Sequence, residues 1–238
     1  MTGTLYVLPN VLSPENQATI SEEARTIIAE LRHFAVENVK VTRRYIRALG
    51  IKTDFDACSF YEIWHKRSDE ELLEAYGGAL RALESGEDVG ILSDAGAAGI
   101  ADPGSALVAL AHRHQFPVRP ISGPSSIFLA LMASGFNGQK FQFHGYLPVE
   151  ARSKQAAIKA LETETRVHNT TSIFMETPYR NQQMLEALVN HLQPNTLLCV
   201  AADLTGPAEF VKTQPIKSWK NAKINLHKKP CIFLIGVI

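Results

Sequence analysis

The sequence predicts an α/β protein with mainly parallel strands, and three observations predict it. Short apolar runs rich in β-formers alternate with segments of helical periodicity, two prolines interrupt that alternation near mid-chain, and Cys231 to Ile238 is apolar throughout. Strands alternating with helices imply crossover connections, which join parallel neighbours. A run with no polar alternation suits a central strand covered on both faces.

In order, Leu5 to Leu8 reads as a strand before a helix from Ala18 to Leu31, Phe34 to Val36 as a strand before a helix from Val41 to Leu49. Leu72, Leu73, Tyr76, Leu80 and Leu83 recur at near-helical spacing and predict a helix from about Asp69 to Leu83. Val89 to Leu92 is the next strand and Ser105 to His112 the next helix. Phe116-Pro117-Val118-Arg119-Pro120 breaks the pattern, so the expected domains are 1–117 and 118–238. The second half continues with helices near Ser125 to Ala133, Ser153 to Leu161 and Asn181 to Leu192. Its strands are expected at Phe141 to Phe143, Ser172 to Met175, Thr196 to Ala201 and the closing run.

Composition narrows the class. The 238 residues carry 24 basic and 24 acidic side chains, a balance that argues against coating nucleic acid by bulk charge. Charge is nonetheless local. Lys40, Arg43, Arg44 and Arg47 share one helix face, and six lysines with no carboxylate follow Val211. Either patch suits phosphates or a solvated surface equally. No apolar run reaches the roughly 20 residues of a membrane span, and no basic region precedes the first apolar run, so the expected location is the cytoplasm. Cys58, Cys199 and Cys231 lie far apart and predict reduced, partly buried thiols. No metal site is expected, since His112 and His114, two apart on a helix, point to different sides.

The common phosphate-loop, dinucleotide, zincin and lipase signatures are missing. Instead, Ser93-Asp94-Ala95-Gly96-Ala97-Ala98-Gly99 follows a buried strand, where the carboxyl end of an open sheet receives ligands and small side chains leave room. Asp102-Pro103 fits a helix N-cap with proline at the first helical position. Ile121-Ser122-Gly123-Pro124-Ser125-Ser126 opens another helix, whose free N–H groups and hydroxyls suit an anionic group.

Together with Leu5-Tyr6-Val7-Leu8-Pro9, Glu37, Phe143-His144-Gly145-Tyr146-Leu147-Pro148, Phe174-Met175-Glu176-Thr177-Pro178-Tyr179-Arg180 and Ala201-Ala202-Asp203-Leu204-Thr205, these motifs occur in one order. In that order the sequence resembles the tetrapyrrole methylase superfamily, most closely its small-subunit ribosomal RNA cytidine 2′-O-methyltransferase branch. The resemblance implies two αβα domains, a homodimer, and S-adenosylmethionine in the cleft between the domains. It implies cofactor contacts at Leu12, Asp94, Ala97, Ser125, Ser126, Met175, Ala201, Ala202 and Pro230. Departures from that branch include the first loop, Asn10-Val11-Leu12-Ser13-Pro14, which lacks a glycine, and Ala202 and Gly206 in the motif at the end of the sixth expected strand.

Methyl transfer from a sulfonium needs alignment above all. A hydroxyl acceptor also benefits from a base, for which Glu37 is the candidate; a salt bridge of Glu37 with Lys40 or Arg43 is the competing reading. The leading expectation is a methyltransferase acting on ribosomal RNA. Methylation of a tetrapyrrole or other small molecule, and a non-catalytic cofactor-binding paralogue, are the alternatives.

Overall fold

The computed structural model describes residues 2–64 and 68–237. The chain divides into two compact units, Met1–Ser125 and Ser126–Ile238.

The first unit is a five-stranded sheet in the order β3-β2-β4-β1-β5. Its strands are β1 (Leu5–Val7), β2 (His33–Val36), β3 (Ser59–Glu62), β4 (Val89–Leu92) and β5 (Val118–Pro120). Every pair in it is parallel, as the crossovers predict. Four helices cover it: α1 (Glu22–Glu30), α2 (Val39–Ala48), α3 (Asp69–Glu84) and α4 (Ser105–Arg113). Local signals start three of them: Ser21 caps α1, Asn38 caps α2, and Ser68 forms a capping box with Glu71 on α3. Alternate strand residues face opposite ways. Phe34 and Val36 therefore join Ile28 and Ile46 from α1 and α2, whereas Ala35 and Ile91 join Leu83 and Leu107 from α3 and α4. Both faces are buried, giving the αβα layering.

The second unit has the order β6-β7-β10-β8-β9. Its strands are β6 (Phe141–Tyr146), β7 (Thr171–Glu176), β8 (Leu197–Ala202), β9 (Phe210–Pro215) and β10 (Cys231–Gly236), and its helices α5 (Ser126–Ser134), α6 (Ala151–His168), α7 (Asn181–His191) and α8 (Ile216–Trp219). One face packs on α6, α7 and α8 through Ile158, Leu188, Phe233 and Trp219, whose indole N–H donates to the Leu198 carbonyl at 3.0 Å. The other carries α5, and a Cβ on Gly236 would overlap the Phe136 ring.

Parallel pairs prevail over the two sheets together, as expected, but this second sheet is mixed. Only β6 and β7 pair in parallel; β10 runs antiparallel to β7 and β8, and β9 antiparallel to β8. Long helices connect β6 to β7 and β7 to β8, which keeps those three aligned. The β8–β9 connection has no helix to return the chain, so direction reverses. The closing run is central and buried as expected over Cys231–Gly236, although Val237 is 44% exposed and Ile238 lies outside the described residues.

The division between units also differs from 117/118. β5 pairs with β1, and the segment to Ser125 stays with the first sheet. The prolines mark the edge of a sheet, where a missing N–H is tolerated. α4 begins at Ser105 with Gly104, at φ 127°, in the N-cap position, so Asp102 does not cap it. The three cysteines are free, with Cys199 and Cys231 buried. Among the described residues, no helix is long and apolar enough to cross a membrane.

Candidate functional site

In the first unit the carboxyl ends of β1, β2, β4 and β5 carry the residues singled out from the sequence. β1 runs on to Pro9, which bridges Ala97, and the Asn10 N–H donates to the Gly96 carbonyl at 2.8 Å. Asn10 is buried, and its side-chain amide donates to the Ser93 and Asp94 carbonyls at 2.8 and 3.1 Å. Its Oδ1 accepts from Val11 N–H at 2.8 Å. The altered first loop is thus stitched to the loop after β4 by a residue that satisfies both of its amide ends. Gly96 adopts φ +70°, which a side chain would resist, and a Cβ there would stand 3.1 Å from Leu12 Cδ2. A Cβ on Gly123 would overlap the Pro9 ring, so the Ile121 to Ser125 segment lies flat on the end of β1. Leu12, Asp94 and Ala97 are brought together by these contacts.

Glu37 follows β2, and its Oε2 accepts the Asp94 N–H at 3.0 Å. Among the described residues it forms no ion pair with Lys40 or Arg43. Arg43 instead lies over Phe60 and Phe55, at 4.9 and 5.5 Å from the ring centroids, and Arg47 over Phe55 at 4.9 Å. Two of the four cations on α2 are therefore engaged by aromatic faces. Lys40 and Arg44 remain exposed.

Asp94 Oδ1 is buried and has no hydrogen-bond partner among the described residues. Burial, and then the Glu37 charge, push the Asp94 carboxyl up to about 6, with Arg44 pulling the other way. Asp102 is pushed further, to about 7, by burial first and then by Glu37 and Asp94. A capping role hid this residue in the sequence; the visible signal was a second carboxylate, following Asp94 on the same run of small residues.

In the second unit the register fixes the rest. Met175 and Ala201 both lie opposite Ile232, forming one row across β7, β10 and β8. Glu176, Cys231 and Ala202 form the next row, and their side chains face the other way. Ala201 and Ala202 are brought to the same sheet end, but their methyl groups are not on one face. Ala202 lines a cavity of about 440 Å³ with Phe210, Trp219 and Leu226. Pro230 is exposed, and its carbonyl accepts the Asp203 N–H at 2.9 Å, beside the end of β8. Ser125 and Ser126 are half-buried on either side of the division between units, and Ser126 opens α5.

Sequence reasoning assigned no role to Glu176, which ends β7. Its buried carboxylate accepts the Thr177 N–H at 2.7 Å and Arg180 Nη2 at 2.6 Å through Oε1. Glu176 Oε2 and Asn181 Oδ1 are buried without a hydrogen-bond partner among the described residues. The Glu-Thr-Pro-Tyr-Arg spacing, with acid and base four apart across a turn, is the signal that could have found this pair.

The first unit thus presents small residues and carboxylates beyond the strand ends of a parallel αβα layer, and the second carries a mixed sheet. The profile of Tetrapyrrole (Corrin/Porphyrin) Methylases matches residues 13–219, and the chain belongs to that family. It is 28% identical to "Ribosomal RNA small subunit methyltransferase I" of Pseudomonas aeruginosa over 98% of this chain and 79% of that protein. The protein of the same name from Escherichia coli O157:H7 is 27% identical, over 98% and 77%. Among solved structures, diphthine synthase superposes with a TM-score of 0.67 at 16% identity, covering 98% of this chain and 89% of the other. That last likeness concerns the fold alone.

Proposed function

We propose that the protein transfers a methyl group from S-adenosylmethionine to a ribose 2′-hydroxyl of small-subunit ribosomal RNA. The observation that carries this reading is the Glu37, Asp94 and Asp102 cluster at the carboxyl end of the first sheet; the names of the full-length relatives support the RNA. When bound, the cofactor supplies a methyl group on a sulfonium, already reactive towards in-line displacement.

The first unit fits such a group. Gly96 and Ala97 leave its loop without bulk, and the buried, unpartnered Asp94 Oδ1 is an acceptor suited to a hydroxyl or ammonium donor. Leu12, Asp94, Ala97 and Ser125 are the contacts proposed on this unit. On the second unit they are Ser126, Met175, Ala201, Ala202 and Pro230, with Ala201 and Ala202 contributing through backbone as well as methyl groups. Glu37 is the proposed base of the sequence reading, and the structure gives it a second duty, since Oε2 holds the Asp94 N–H and leaves Oε1 for the acceptor hydroxyl. Asp102, with its carboxyl near 7, is matched to take the proton at neutral pH. We further propose a homodimer in the cytoplasm; Phe128 and Met132, 50% and 80% exposed on α5, offer apolar surface to a second copy.

The test is transfer of label from radioactive cofactor to fractionated RNA and to isolated small ribosomal subunits, with calorimetry for cofactor affinity. Label on the small-subunit RNA is expected. Cofactor binding without label on any RNA fraction overturns the RNA reading.

A further inference from the structure

The carboxyl end of the second sheet exposes aromatic rings among cations. Tyr179 is 68% exposed and Tyr146 54% exposed. Both are fixed to rigid elements. Tyr146 ends β6 opposite Met175, and Tyr179 sits in the turn from β7 to α7. Arg180 follows Tyr179 in the chain, feels the Tyr146 phenol, and has its Nη2 clamped by buried Glu176. That bond, with a contribution from the Tyr146 phenol, holds the guanidinium more firmly charged than an ordinary arginine.

A second segment completes the surface. The Lys228 N–H donates to the Pro178 carbonyl at 2.9 Å, which pins the 225–229 loop against the turn bearing Tyr179. The His227 ring meets the Tyr179 ring edge-on, 6.2 Å between centroids. Lys228 and His227 are exposed, and no carboxylate occurs anywhere after Val211. Flat π-faces and fixed positive charge at alternating positions are what a flexible polyanion of aromatic bases requires. A duplex hides its bases and would leave the rings idle.

From this juxtaposition we infer that Tyr146, Tyr179, Arg180 and Lys228 form a platform for unpaired RNA nucleotides, with bases stacked on the tyrosines and phosphates on the two cations. The platform rests on the proposed RNA reading and deepens it, because it selects single-stranded over paired acceptor regions. Its Tyr146 pairs with Met175 across the sheet, so nucleotides held there are presented at the sheet end that carries the proposed cofactor contacts of this unit.

The experiment measures binding of a fluorescein-labelled mixed-sequence RNA of ten nucleotides, single-stranded and as a duplex, to the full chain at several salt concentrations. Wild type is expected to prefer the single strand. Tyr179→Ala should weaken single-strand binding at least about five-fold, and Tyr179→Phe, which keeps the ring, should restore it. Lys228→Gln should flatten the slope of log affinity against log salt by about 0.7. Both side chains are exposed, and melting curves of the variants should overlay wild type. If wild type binds and methylates RNA while Tyr179→Ala and Lys228→Gln bind as well as wild type, or if duplex binds as tightly as single strand, the platform is wrong and the RNA reading stands. If wild type neither binds nor methylates any RNA, both fall together.

Discussion

Carboxylates stand at the strand ends of both units, and the two units treat them in opposite ways. Beyond β2 and β4, Glu37, Asp94 and Asp102 are gathered without an ion pair among the described residues, and burial with mutual repulsion drives Asp94 and Asp102 up to about 6 and about 7. At the end of β7, Glu176 is more deeply buried but has Arg180 against it at 2.6 Å. A carboxyl crowded by like charge exchanges its proton near neutrality; one clamped by a guanidinium stays fixed and serves to hold its partner in place. The first arrangement suits proton transfer, the second suits the positioning of a cation.

The sharpest break in that contrast comes from Arg180→Ala. It strands the Glu176 charge in the interior and should cost about 3 kcal/mol of stability, discounted from the upper range because Arg180 itself is partly exposed. Glu176→Gln added to it should recover most of the loss, which paired thermal melts would show. An unchanged melting temperature for the single variant would mean that Glu176 is not held by this pair.

Ala97→Phe tests the open side of the first unit. A large ring on the small-residue loop should reduce S-adenosylmethionine affinity about a hundred-fold while the fold persists, as read by calorimetry and circular dichroism. Retained affinity would move the cofactor away from this loop.

Asp102→Asn addresses the proton. The folded carboxyl lies near 7 and the unfolded one near 3.8, so its favourable contribution is fully present below pH 3.8 and disappears as pH rises through about 7. The amide should therefore stabilise the protein at pH 8 by on the order of 2 kcal/mol and leave it unchanged at pH 3.5. It should also remove the rising limb of the methylation rate near pH 7, whereas Glu37→Gln, which removes the proposed base, should lower the rate throughout and move the residual limb to lower pH by deleting a neighbouring negative charge. A limb that stays at the same pH in both variants would release Asp102 from proton transfer.

The smallest effect belongs to α2. Since Arg43 and Arg47 are stacked on Phe55 and Phe60, the exposed Lys40 and Arg44 are the cations left for phosphate. Changing both to Gln should weaken RNA binding several-fold and lower its salt slope by about 1.4, with cofactor affinity intact. An unaltered slope would leave this face a solvated surface and concentrate RNA contacts on the second unit.

The centre of each sheet was legible, and of the edges only β6, at Phe141 to Phe143, was. Apolar runs at Phe34 to Val36, Val89 to Leu92 and Cys231 to Gly236 announce strands buried on both faces. β3 and β9 sit at edges, where Ser-Phe-Tyr-Glu and Phe-Val-Lys-Thr-Gln-Pro are only partly covered and need no such run. The Val118–Pro120 edge strand was read as a break because its prolines obey a rule that applies only to interior strands. Of the site, Asp94 and Ala97 could be read from a loop of small residues after a buried strand. Asp102 could not, because an Asp-Pro pair satisfies a capping rule on paper, and only the backbone shows that Gly104 took the position. The Glu176 clamp was hidden for another reason: its partner approaches across a turn whose path no local periodicity records.

The burial of Trp219 has an optical consequence. The chain has two tryptophans, Trp64 in the first unit and Trp219 in the second. With its indole N–H bonded to Leu198 and only 3% of its surface exposed, Trp219 should emit at short wavelength and redden sharply when the second sheet opens. Trp64→Phe leaves that emitter alone and Trp219→Phe leaves the other, so each unit carries its own lamp. Denaturant titrations of the two variants, read at one wavelength, reveal whether the halves of the chain melt as a single cooperative body or go dark one after the other.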